Sequence, residues 1–191
     1  MVRKAIDGKS NAISKFISVY KKAFSIMFSP SKVKSTKSIN ETLKFYYVIA
    51  LIPALLTILI SAVIIPPTLA FISYAVFVML FFLFLPVGIL VSSILYYVLI
   101  NKLIKMYKND LKDTFTAFTY AYLPYIMLFW LLVTPPLGYL VEGIIGIWVF
   151  VLSLFIFAKM FNMSKSQAFV TIIINGVVWG IVAFIIMILL A

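Results

Sequence analysis

The sequence has no cysteine and no histidine. Disulfide frameworks, thiolate or imidazole metal sites and every Ser/His or Cys/His nucleophile pair are thereby excluded. Carboxylates are scarce as well, with five Asp and Glu against sixteen Lys and Arg in 191 residues. Glu142 stands alone between two long uncharged stretches, so it makes neither a glycosidase pair nor a carboxylate metal cage. Charge of either sign is missing from 45–101, 114–141, 143–158 and 168–191. Intramembrane ionisable groups mark proton relays, ion coupling and voltage sensing, and none is available here. A passive pore or lipid pathway stays open, because carbonyls and hydroxyls can line one.

What is present is apolar. Hydrophobic residues make up 65% of the chain and charged residues 11%, the signature of an integral membrane protein. The net charge of +11 is spread between apolar stretches instead of gathered in one domain. That distribution suits anionic lipid headgroups and excludes nucleic acid as a partner.

Hydropathy and the lysines together predict a topology. Spans are expected at about 45–65, 70–100, 115–133, 139–158 and 168–190, each long enough at about 1.5 Å per residue to cross about 30 Å of hydrocarbon. Pro66 with Pro67 and Pro135 with Pro136 mark the outer turns, and Pro53, Pro86 and Pro124 fall inside spans as candidate kinks. Residues 1–44 carry ten Lys and Arg, the 102–113 loop four (Lys102, Lys105, Lys108 and Lys112) and the 159–167 loop two. None is left for the outer loops, so the positive-inside rule places the N-terminus in the cytoplasm and the C-terminus outside.

Residues 1–44 form a basic segment without the short apolar core and cleavage site of a signal peptide. Within it, Ile13, Phe16, Ile17, Tyr20, Phe24, Met27 and Phe28 recur at helical spacing, opposite Lys15, Lys21 and Lys22. This predicts an amphipathic helix over about 10–28, ended by Pro30 and lying on the cytoplasmic leaflet. The fold class expected is an all-α integral membrane protein, a five-transmembrane-helix bundle with an N-terminal amphipathic interfacial helix. Lys15, Lys21, Lys22, Lys102, Lys105 and Lys108 are the candidate lipid-facing basic residues.

Three further patterns carry expectations. Tyr46, Tyr47, Tyr96, Tyr97, Tyr107 and Tyr120 gather near the inner ends of spans, as an interfacial aromatic belt does. Asn175, Gly176 and Gly180 form a small-residue face with one amide, suited to helix packing within the bundle, to a homodimer or to a substrate contact. Tyr46, Tyr47 and Pro53 are echoed by Tyr120, Tyr122 and Pro124, which would fit a duplicated hairpin.

One resemblance is specific enough to name. Ile147, Trp148, an apolar helix, Lys159, Met160, Ser164, Lys165, Ala168 and Phe169, together with the central loop leading into Phe115, Tyr120, Leu123 and Pro124, resemble the Yip1 domain family of five-span membrane proteins. The resemblance covers roughly Phe24 to the C-terminus. It implies a five-helix domain over 45–191, a cytoplasmic N-terminus and no catalysis or cofactor. It also implies, for eukaryotic members, a role in traffic between endoplasmic reticulum and Golgi with small Rab-type GTPases. The short basic N-terminal segment departs from the longer cytosolic one of those relatives, and a prokaryotic cell membrane is the expected home. Two functions follow as expectations. One is a non-enzymatic membrane organiser or adaptor, bound to anionic lipid, to a protein partner on its cytoplasmic face or to further copies of itself. The other is a small permease, channel or lipid transporter using the helical interior.

Overall fold

The structure is a computed structural model and describes residues 2–64, 76, 78–103, 109–132 and 138–190. Helix α1 runs over Val2–Phe28 and a single 3-10 turn over Pro30–Lys32. The first span is α2, Ile39–Ile64; the second is α3, Leu85–Tyr97, extended by π-helical turns at Leu80–Phe84 and Val98–Leu103. The third consists of two pieces, α4 (Leu111–Ala121) and α5 (Leu123–Leu132). The fourth and fifth are α6 (Gly138–Met160) and α7 (Lys165–Leu190). Five helical stretches are long and apolar enough to cross a membrane, and no strand occurs among the described residues. Lys105, Lys108, Tyr107 and the paired prolines at 66, 67, 135 and 136 lie outside the described residues.

Local chemistry explains the boundaries. Pro30 pushes Ser29 out of the helical region (φ −142°), and α1 stops at Phe28. The first span begins at Ile39, six residues before the apolar run, because Ser38 caps it. The Ser38 Oγ accepts the Glu41 N–H at 3.2 Å, and the Glu41 carboxylate accepts the Lys37 N–H at 2.8 Å. A reciprocal version opens α7: the Gln167 N–H donates to Ser164 Oγ at 3.2 Å and the Ser164 N–H to Gln167 Oε1 at 2.8 Å. Asn162, in the left-handed region at φ 51°, closes α6, and the Met163 N–H folds back to the Ala158 carbonyl at 3.0 Å.

The third span is the hub. It packs on the first, second and fourth spans, and 61% of its most apolar stretch is buried, against 33% or less in every other span and 6% in the fifth. It is also the least apolar of the five. In lipid no hydrophobic force draws the greasiest helix inward, so small and hydroxyl residues that allow close approach take the centre. Thr114, Thr116, Ala117, Thr119 and Ala121 are buried there, and Thr116 and Thr119 donate to the carbonyls four residues back at 2.8 and 2.9 Å.

Of the tyrosines expected in an interfacial belt, three are core residues. Tyr46 and Tyr96 are 1% exposed and Tyr120 is fully enclosed, whereas Tyr47 is exposed and Tyr97 half-buried. Tyr96 sits among Phe118, Phe157 and Phe161 at centroid distances of 5.2–5.7 Å and donates to Thr171 Oγ1 at 3.0 Å, tying the second span to the fifth. The belt expectation fails for these residues because the protein supplies acceptors for Tyr46 and Tyr96 and a ring partner, Phe45 at 5.3 Å, for Tyr120, whose buried hydroxyl has no hydrogen-bond partner.

Candidate functional site

Two of the three prolines inside spans are met by tyrosines from neighbouring helices. Pro53 has no N–H to donate to the Ile49 carbonyl, and the Tyr20 hydroxyl of α1 donates to that oxygen at 2.8 Å and to the Val48 carbonyl at 3.1 Å. The Ile52 N–H reaches the same hydroxyl at 3.4 Å. Pro86 likewise leaves carbonyls free in the preceding turn. Tyr46 donates to the Phe81 carbonyl and Tyr47 to that of Phe82 at 3.4 Å. At Pro124 the helix itself divides, between Ala121 and Leu123. All three prolines are buried.

Tyr20 therefore fastens α1 to the first span at its kink. Burial raises the Tyr20 phenol above its ordinary pKa, partly offset by the Ile52 N–H. At about 100° per residue, α1 presents three stripes. Ala23, Ile26 and Met27 are buried against the bundle, with Val19 and Tyr20 packed beside them. Ile13, Ile17, Phe24 and Phe28 form an adjoining apolar stripe that is exposed. Ser14, Ser18, Lys22, Ser25 and Lys15 make the polar remainder, with Lys21 on its border with the exposed apolar stripe. The helix expected on the cytoplasmic leaflet thus divides its apolar arc, one part buried against the bundle and the other exposed.

Next to α1 the 31–38 segment is pinned to the third span. The hydroxyls of Thr36, Thr42 and Thr116 bond to one another at 2.6, 2.9 and 3.0 Å, fully within the protein, and Ser35 donates to the Asp113 carboxylate. This polar knot brings Lys32, Lys34 and Lys37 beside Lys22 and Ser25 of α1 around a recess of about 330 Å³. Four lysines line this recess against one carboxylate, Glu41, an excess of positive charge that suits a phosphate-bearing headgroup.

The candidate basic residues divide. Lys15 and Lys21 are exposed. Lys22 lies over the Phe45 and Tyr120 rings at 4.9 and 5.4 Å, so part of its charge is held by the bundle and not by lipid. Lys102 is exposed, 5.9 Å from the Tyr97 ring centre, and Lys112 pairs with Asp110 at 3.6 Å on the surface. The contacts among Lys22, Tyr120, Thr36, Thr116, Tyr96 and Thr171 bring the lysine-bearing ends of the spans to one end of the bundle.

Elsewhere, Asn175 is buried in a cleft between α6 and α7, but Gly176 and Gly180 are exposed, and a Cβ at either meets nothing within 4 Å. Neither glycine makes a close helix contact within the chain. Recess, threonine knot and Tyr20 contact were missed from sequence, although Ser38-x-x-Glu41 signals the cap that sets the register of Thr36 and Thr42. Among the described residues no group of three or more Asp, Glu, His or Cys could hold a metal ion.

A comparison with family models matches residues 24–187 to the Yip1 domain. No curated protein and no solved structure matches the chain. The family match extends from the C-terminal end of α1, through the hub, almost to the end of the fifth span, and with five helices long and apolar enough to cross a membrane the chain belongs to the Yip1 domain family as an integral, multi-pass membrane protein.

Proposed function

We propose that the chain is a non-enzymatic membrane organiser or adaptor. Its lysine-bearing end faces the cytoplasm and engages anionic headgroups, leaving a basic surface for a protein partner. The observation that carries this reading is the posture of α1. Tyr20 holds the helix against the first span while an apolar stripe, Ile13, Ile17, Phe24 and Phe28, is turned outward with Lys21 at its edge. Such a stripe bordered by lysine is how an in-plane helix enters the acyl boundary of an anionic leaflet. The recess between Lys22, Lys32, Lys34 and Lys37 lies beside it and gives one headgroup phosphate a place to sit.

The test uses the full-length protein in liposomes. Because there is no native cysteine, Ser14→Cys takes a single environment-sensitive fluorophore on the exposed side of α1. Its emission shifts toward an apolar environment as the anionic lipid fraction rises. Lys15→Glu with Lys21→Glu reverses the shift, each lysine being worth about 1 kcal/mol near an anionic surface. The effect fades at about 1 M salt, where screening reaches only about 3 Å. Equal emission in neutral and anionic liposomes would remove the electrostatic basis of the proposal. The same liposomes loaded with ions or small solutes decide the transport alternative: release dependent on the protein would favour a permease or channel.

A further inference from the structure

We infer that the cleft between the fourth and fifth spans is a binding site for an uncharged lipid carrying a free hydroxyl. The cleft has a volume of about 320 Å³. One wall is a single face of α6, with Gly146, Val149, Phe150 and Ser153; the other is a face of α7, with Ile172, Asn175, Gly176 and Trp179; Phe118 and Tyr122 of the third span form its floor. Gly146 and Gly176 are exposed at its rim, and a Cβ at either would meet nothing within 4 Å. The two glycines therefore put no side chain into the open space at the mouth of the cleft.

One polar group inside lacks a partner. Asn175 is 9% exposed, and its Oδ1 is fully enclosed with no hydrogen bond. Ser153 on the facing wall already donates to the Val149 carbonyl at 2.7 Å, and the Asn175 Oδ1 accepts nothing from Tyr122, which also lines the cleft. An acceptor left alone in a low-dielectric interior forfeits its hydration with nothing in return, so this oxygen calls for a donor from outside the chain. Its depth narrows the choice. Asn175 is ten residues into α7, about 15 Å below Lys165 and so close to the centre of a hydrocarbon layer about 30 Å thick. Among the described residues no Lys, Arg, Asp or Glu lines the cleft, so a charged headgroup has nothing there to pair with. The volume is about ten times that of a water molecule, too large for one bridging water. An uncharged hydroxyl on a long apolar tail fits every term: the hydroxyl donates to Asn175, the first methylenes fill the space against Phe118, Phe150 and Trp179, and the tail leaves between Gly146 and Gly176. A diacylglycerol and a long-chain alcohol share this chemistry.

The experiment reconstitutes the full-length protein in liposomes with three photoactivatable probes: a diacylglycerol, a long-chain alcohol, and the diacylglycerol with its hydroxyl methylated. The expected result is adducts within 146–153 and 172–179 from a hydroxyl probe, several-fold above those from the methylated probe. Whichever of the two hydroxyl probes labels more strongly identifies the source. Asn175→Leu lowers hydroxyl labelling to the methylated level, and Gly176→Leu suppresses all labelling of the cleft. Equal labelling of wild-type protein by hydroxyl and methylated probes overturns the inference without recourse to any variant, as do adducts confined to other spans. Anionic headgroup binding at the lysine-bearing end uses different residues, so either reading can fail alone.

Discussion

Replacing Tyr20 by Phe removes one hydroxyl and keeps the ring in its packing against Phe16, whose centroid lies 5.0 Å away. The Ile49 carbonyl, already deprived of an N–H by Pro53, then loses its donor at 2.8 Å, and the Val48 carbonyl loses a contact at 3.1 Å. Ile49 is fully buried, so water does not replace the hydroxyl. One proton shared by two acceptors makes the loss that of a single buried hydrogen bond with an acceptor left bare, about 1–2 kcal/mol. The docked population of α1 should fall by a factor of about 5–30 against its undocked form. Hydrogen exchange of α1 in full-length protein in liposomes reads this directly, with the five spans as internal reference. A second substitution isolates the cause. In Pro53→Ala the new N–H can donate to Ile49, so Tyr20→Phe made in that background should cost little, a coupling of about 1 kcal/mol in the double-mutant cycle. An equal cost of Tyr20→Phe in both backgrounds would refute the argument that tyrosine substitutes for the missing amide. The phenol adds a pH dependence with a definite sign. Its folded pKa is raised above the ordinary value of 10.0, so its contribution is complete below pH 10 and is lost as pH rises beyond it. Docking should therefore be flat through neutral pH and weaken in strong alkali, and Tyr20→Phe should lack that component.

Three further outcomes are expected. Thr116→Val takes one hydroxyl from the Thr36–Thr42–Thr116 knot and should lower stability by about 1 kcal/mol, read as thermal unfolding in detergent, with faster proteolysis at Lys32 and Lys34. Asn162→Ala forces a Cβ-bearing residue without a compensating amide into φ 51° and should cost about 1 kcal/mol, whereas Asn162→Gly should be near neutral in the same assay. Single cysteines settle the orientation: one at Tyr139, which is 90% exposed, should react with an impermeant maleimide on intact cells, and one at Ser35 only after permeabilisation. The reverse pattern would invert the proposed topology.

The number and order of the spans were legible because hydropathy and lysine placement act within a single helix. A run of about 20 apolar residues crosses whatever its neighbours are. The ends were partly legible for the same reason: Pro30 stops α1 at Phe28 as expected, while the first span starts at Ile39 because a cap, not hydropathy, decides the first turn. Asn162 and Ser164-x-x-Gln167 are local signals of the same kind for the turn between the fourth and fifth spans.

Sequence alone therefore determined five helices long and apolar enough to cross a membrane, their order and the family. Tertiary structure alone decided that the third span is the hub, that Tyr20, Tyr46 and Tyr47 answer carbonyls freed by Pro53 and Pro86, that Thr36, Thr42 and Thr116 meet, and that Gly146 and Gly176 open a cleft beside Asn175. The physical reason is that lipid is as apolar as leucine, so hydrophobicity tells a helix to enter the membrane but not which neighbour to choose. That choice rests on shape and on hydrogen bonds between residues 30 to 80 positions apart, which no pattern within one helix can reveal.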